Sequence, residues 1–273
     1  MTDLELINGE DDDAKSAKLR RVSLNHLIPN LVTLASLCAG MSAVRFAFLD
    51  RWEPALIAIL VAAICDTLDG RLARMLKGTS QFGAELDSLA DLVSFGVAPA
   101  LMVYMWSLQG AGPLGWLAVL AFPCCSALRL ARFNTNLGAE PPPFAAGYFT
   151  GVPTPAGAGL CLLPLVFSVG LKENQVGTLA EQYWLIIPWM LGVGFLMISN
   201  LPTLSLKKIK FQREQAAFVL LGAVLVAALL VTIPWLAIGL LLTGYLVSLP
   251  LGYLIYKRAE RRAAADNLTS KVV

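Results

Sequence analysis

Eight apolar stretches, near 28–49, 53–75, 83–107, 112–131, 150–171, 182–201, 214–232 and 234–256, follow one another with little polar chain between them. About 20 apolar residues in a helix cross the hydrocarbon of a bilayer. Lipid admits only helices and closed barrels as spanning structures, because backbone N–H and C=O groups find no water there. These lengths suit helices. The expected fold class is therefore all-α, a polytopic membrane helical bundle of about eight transmembrane helices. A count of six or seven is the alternative, since glycine and proline blur the edges of the fifth and sixth stretches. Composition agrees: only 15% of the 273 residues are charged, against about 25% in a soluble domain.

Basic residues orient the bundle. Eighteen of the 21 Lys and Arg residues fall before the first stretch, in alternate connections, or after the last. The opposite connections hold only Arg51 and Lys172, and Arg45 lies inside the first stretch. By the positive-inside rule both termini are cytoplasmic, which requires an even number of crossings. Residues 1–22 are expected to be a cytoplasmic leader, disordered or surface-lying, without the apolar core of a cleavable signal peptide. Residues 23–256 are expected to form the transmembrane domain, and 257–273 a basic cytoplasmic tail. Cys38, Cys65, Cys124, Cys125 and Cys161 all sit in apolar stretches and read as small buried residues. No feature points to nucleic acid.

Against this background residues 66–91, DTLDGRLARMLKGTSQFGAELDSLAD, hold four aspartates. Each charge near a bilayer core costs about 2.5–3.5 kcal/mol on insertion scales. Residues three or four apart share a helix face. Asp66, Asp69, Gly70 and Ala73 thus form one stripe with Arg74 on its flank, and Gly83, Asp87, Asp91 and Ser94 form another. The short connection at 76–82 makes the two helices antiparallel neighbours, so the carboxylates can face each other. Mutual repulsion calls for a cation between them. All-oxygen ligation suits Mg²⁺ or Mn²⁺, which pair protein carboxylates with substrate phosphates. With His26 the only histidine, nothing suits zinc. Two such ions can clamp a phosphoryl centre. Small Gly70 and Ala73 leave room for a bulky ligand, and Arg74 can meet a phosphate with paired N–H groups. Charges solvated at the membrane rim are the plain alternative for any one aspartate.

The pattern Asp66-x-x-Asp69-Gly70-x-x-Ala73-Arg74, eight residues, Gly83-x-x-x-Asp87-x-x-x-Asp91 resembles the signature of the CDP-alcohol phosphatidyltransferases. These are integral membrane enzymes that attack a CDP-linked lipid with an alcohol and release CMP. The resemblance implies that Asp66, Asp69, Asp87 and Asp91 bind two divalent ions, Mg²⁺ or Mn²⁺, per active site. It gives Asp91 a second role as catalytic base. Gly70, Arg74 and Ser80, with Asp66, would contact the CDP-lipid, and Asn30 and Thr33 would line the cytidine site. For those last two, helix capping at the membrane surface is the alternative.

Further blocks resemble the serine-accepting, membrane-spanning branch of that family. They are Pro29-Asn30-Leu31-Val32-Thr33, Arg129-Leu130-Ala131-Arg132-Phe133-Asn134, Gly151-Val152-Pro153-Thr154-Pro155-Ala156, and Ser199-Asn200 followed by Lys207, Lys208 and Lys210. The implied reaction joins L-serine to CDP-diacylglycerol, giving phosphatidylserine and CMP, in a multi-pass enzyme of the cytoplasmic (inner) membrane. Relatives are commonly homodimers. The acceptor pocket must hold a zwitterion with a carboxylate. Arg129 and Arg132 can supply cations and Asn134 and Thr154 neutral hydrogen bonds; positive-inside anchoring and loop capping are the alternatives. Pro153 and Pro155 are expected to shape a helix start. The same chemistry with glycerol 3-phosphate, inositol or inositol phosphate is the nearest other reading, and an ion-coupled transporter is a remote one.

Overall fold

The computed structural model describes residues 24–76, 80–135, 148–171, 182–199, 201–204 and 216–269. The leader 1–22, the run Pro141-Pro142-Pro143, Asn200, Lys207, Lys208 and Lys210 lie outside the described residues, as do the side chains of His26, Arg261 and Arg262.

Helix α1 spans Leu24–Phe48 and α2 spans Trp52–Met75. The turn between them places Asp50 at φ 53, a left-handed conformation that Asp tolerates better than most residues. Small side chains let these two helices approach closely: Ala43 and Ala47 on α1, and Ala55, Ala58 and Ala62 on α2, are all buried. Spacings of three and four put each set on one face, the usual way of packing helices where lipid offers no hydrophobic drive between them.

Helix α3, Gln81–Asp91, runs without a break into a π-helical turn at Leu92–Val97 and then α4, Ala98–Val103. The Ala98 N–H bonds to the carbonyl of Val93, five residues back, and Pro99 follows without an N–H to give. A second π-turn, Tyr104–Leu108, and a 3₁₀ turn, Gln109–Ala111, lead into α5, Gly112–Thr135. Helices α6, Thr154–Gly170, and α7, Tyr183–Ile198, complete the packed core with α1, α2, α4 and α5. Helix α8, Ala216–Thr232, and α9, Pro234–Thr269, close the chain.

Each of the eight expected apolar stretches is thus helical among the described residues. Three stretches, Leu27–Phe48, Gln81–Thr135 and Pro234–Arg258, are long and apolar enough to cross a membrane, and shorter apolar helices accompany them. The protein is an integral membrane helical bundle. Large apolar side chains such as Phe48, Phe195 and Val231 remain exposed, as expected of surfaces that face lipid.

Three details depart from the expectation. A short antiparallel ladder pairs β1, Tyr148–Thr150, with β2, Pro202–Leu204, inside an otherwise helical architecture. The last helix does not stop at 256 but runs on to Thr269. Among the cysteines only Cys161 is buried, while Cys38 and Cys124 are exposed; an apolar thiol is equally at ease against lipid.

Candidate active site

The carboxylates come together where the C-terminal end of α2 meets the start of α3. Carboxylate oxygens of Asp66, Asp69 and Asp87 lie within 4.8 Å of one another. The Asp91 carboxyl lies beside that of Asp66. At such a separation each pair of ionised carboxylates repels by about 3 kcal/mol at an effective dielectric constant of about 20. The donors are all oxygen, and they come from two rigid helices. That donor set fits a hard divalent cation.

Neighbouring helices hold the cluster in place. Thr33 Oγ1 on α1 donates to Asp69 Oδ2 at 2.7 Å. Ser80 caps α3, its Oγ accepting the Gly83 N–H at 3.0 Å, which fixes the register that aims Asp87 and Asp91 at α2. Ser94, on the same stripe, is fully buried against α1 and donates to the Ser36 carbonyl at 3.2 Å. A Cβ on Gly40 would lie 2.7 Å from Ser94, so that glycine sets how closely α1 crosses the turn.

A cavity of about 540 Å³ opens beside the cluster, lined by Asp69, Asp87 and Asp91 on one wall. Asn30, Thr33, Gly70, Arg74 and Ser80 complete that side. A Cβ on Gly70 would meet nothing nearer than Arg74 Nη1 at 3.9 Å, so the protein's own packing does not require a glycine there. Asp66, also expected to contact the CDP-lipid, is not among the lining residues.

The C-terminal end of α5 and the start of α6 form the far side. Arg129, Phe133, Asn134, Pro153 and Pro155 line it; the two prolines start α6 and also wall the cavity. Arg129 Nη1 donates to Thr154 Oγ1, and Thr154 is fully buried. Asn134 Nδ2 donates to Ser88 Oγ at 3.0 Å. Arg132 is not among the lining residues; its Nη1 donates to the Ile198 carbonyl at 2.5 Å, at the end of α7. The four expected acceptor residues thus divide. Arg129 and Asn134 face the cavity, Thr154 holds Arg129 from behind, and Arg132 ties α5 to α7. Ser88, Ala84 and Phe133 also line the cavity and were not singled out in the sequence, since small or apolar residues on a helix carry no chemical signal.

The family model described as CDP-alcohol phosphatidyltransferase matches residues 26–196. The chain belongs to the CDP-alcohol phosphatidyltransferase family. Among curated proteins it is similar to a CDP-diacylglycerol–serine O-phosphatidyltransferase of Mycobacterium leprae, 38% identical over 236 residues, covering 85% of this chain and 76% of the relative. An enzyme of the same name from Helicobacter pylori is 34% identical over 197 residues, covering 72% of this chain and 79% of the relative. One from Bacillus subtilis is 33% identical over 159 residues, covering 58% and 86%. The family match contains the whole carboxylate cluster and cavity wall, and it ends within α7. In this phosphatidyltransferase, α8 and α9 therefore lie beyond it.

Proposed function

We propose that the protein transfers the phosphatidyl group of CDP-diacylglycerol to the hydroxyl of L-serine, giving phosphatidylserine and CMP. The names of its relatives support the reaction. The observation that carries it is that one cavity has the aspartate cluster on one wall and Arg129 on the other, so a pyrophosphate and a carboxylate-bearing alcohol can lie side by side.

Asp66, Asp69, Asp87 and Asp91 would hold two divalent cations, Mg²⁺ or Mn²⁺. When bound, these neutralise the pyrophosphate and take up charge on the departing CMP. The residues do the rest. Gly70 leaves the α2 face open for the CDP group, Arg74 and Ser80 meet its phosphates, and Asn30 and Thr33 border the cytidine. Arg129, steadied by Thr154, holds the acceptor's carboxylate, with Asn134 beside it. The serine oxygen attacks the phosphorus that carries diacylglycerol, in line with the bridging oxygen. The P–O bond to that oxygen breaks, CMP leaves with it, and Asp91 takes the hydroxyl proton. Positioning and electrostatics supply most of the rate.

We extend the proposal to topology and assembly: eight crossings of the cytoplasmic membrane, both termini cytoplasmic, in a homodimer. A phosphorylated acceptor would need a denser cationic pocket than Arg129 provides among the described residues of that wall. The test is CMP release by the purified, detergent-solubilised protein with CDP-diacylglycerol and Mg²⁺ or Mn²⁺, offering serine, glycerol 3-phosphate, inositol and inositol phosphate in turn. Release with serine is expected. Release only with another alcohol would discard the serine assignment and keep the reaction class.

A further inference from the structure

A serine molecule brings three groups to the cavity: a hydroxyl, a carboxylate and an ammonium. The hydroxyl reacts and Arg129 matches the carboxylate, but the ammonium still needs oxygen atoms to receive its N–H groups. The aspartates of the cluster face the divalent cations, and a further cation among those ions would be repelled. A neutral acceptor beside Arg129 suits it better. On the wall formed by α5 and the start of α6, Asn134 is the neutral polar side chain among the described lining residues.

An asparagine can offer either end of its amide, and only the carbonyl suits an ammonium. Ser88 decides which end is offered. It stands on α3 directly after Asp87 and lines the cavity itself. Its Oγ donates to the Ala84 carbonyl, four residues back, at 3.1 Å, the usual bond of a serine inside a helix. With its one proton placed there, Ser88 Oγ can only accept, and it accepts the Asn134 Nδ2–H at 3.0 Å. The amide nitrogen is thereby held on α3, and Oδ1 is the end left over. Among the described residues this is the one hydrogen bond of the Asn134 side chain. Both side chains are half-buried and in reach of the cavity. The bond also ties the helix that carries Asp87 and Asp91 to the helix that carries Arg129.

We propose that Ser88 is a positioning residue of the acceptor site: by holding the amide nitrogen of Asn134 it presents Asn134 Oδ1 to the ammonium of the incoming alcohol. Turned the other way, the amide would set its own N–H groups against a cation. This rests on the serine reading given above. The amino group on the cytosine of the CDP-lipid is also an N–H donor, so the test separates the two.

The variant is Ser88→Ala, with Ser88→Thr beside it to restore the hydroxyl. Both are assayed in detergent for CMP release with serine and CDP-diacylglycerol each varied, together with their melting temperatures. Ser88→Ala should melt no lower than wild type, since alanine is the better helix former and water can meet the freed N–H. Its KM for serine should rise roughly tenfold, the lower end of what a hydrogen bond to a charged group contributes. Its kcat and its KM for CDP-diacylglycerol should stay within about twofold. Ser88→Thr should bring the serine KM back to within about twofold of wild type, because a helical threonine keeps the same bond. Inhibition of serine turnover by 3-hydroxypropionate, which is serine without its amino group, should be the same in wild type and Ser88→Ala. A serine KM that does not rise, or that threonine does not restore, overturns the proposal. Weaker inhibition of Ser88→Ala by 3-hydroxypropionate overturns it too, since the ammonium would then not be the group concerned. A rise confined to the CDP-diacylglycerol KM assigns Asn134 to the cytosine instead, and a Ser88→Ala protein that melts lower or fails to accumulate assigns Ser88 to the fold. Wild-type protein that releases no CMP with serine would remove the serine reading and this one together, whereas an active wild type with an unaltered variant removes this one alone.

Discussion

At the scale of single residues, the site is made of choices that the fold alone does not favour. A helix-interior glycine is less stable than alanine by about 0.5–1 kcal/mol, and Gly70 sits in α2 with open space where a Cβ would go. Gly70→Ala should therefore raise the thermal stability of the ligand-free protein by that amount while raising the KM for CDP-diacylglycerol at least tenfold. Stability without a binding defect would mean that nothing bulky passes over that face. The aspartates argue the same way. With Asp66, Asp69 and Asp87 so close, Asp66→Asn removes repulsion of about 3 kcal/mol per pair at most. In excess chelator this variant should melt higher than wild type. In millimolar Mg²⁺ the order should reverse, because wild type gains stability from binding a cation and the variant gains less. If Mg²⁺ shifts both proteins equally, Asp66 is no ligand.

At the scale of elements, the sequence spoke clearly where chemistry and periodicity coincide. Four carboxylates at helical spacing on adjacent apolar helices can be paired on paper, and α2 and α3 do pair them. Ser94 continues the aspartate spacing and, like Gly83 at the other end of the stripe, packs against α1. Arg129 and Arg132, three apart on α5, looked equivalent; only the position of α7 separates them, giving Arg132 the Ile198 carbonyl. The small ladder gave no signal, being three residues long on each side, but it explains Gly151. That residue has φ +75, and a Cβ there would lie 2.7 Å from the Met197 carbonyl oxygen. Gly151→Ala should destabilise by about 1–3 kcal/mol, shifting the start of α6 and with it Thr154. The activity that survives should show a raised serine KM, whereas a variant as stable and active as wild type would show that the ladder does not position the acceptor wall.

At the scale of the whole molecule, every part of the site is gathered at one end of the bundle. The C-terminal ends of α2 and α5 and the starts of α3 and α6 supply its walls. The same end carries Arg71 and Arg74 on α2 and Arg129 and Arg132 on α5, so positive charge and chemistry share it. On the orientation proposed above, an anionic CDP-lipid would enter from the leaflet on the basic side, and serine and CMP would exchange with the water beyond it. This arrangement works only if that side is the cytoplasm, where the positive-inside rule puts it. With the five cysteines replaced, a lone cysteine at Lys172→Cys should react with a membrane-impermeant maleimide on intact cells. One at Lys257→Cys should react only after the membrane is opened. The converse labelling would turn the carboxylates and their cavity outward, away from the nucleotide pool. Labelling of both on intact cells would mean an even number of crossings between them, and would remove one of the last three helical stretches from the membrane.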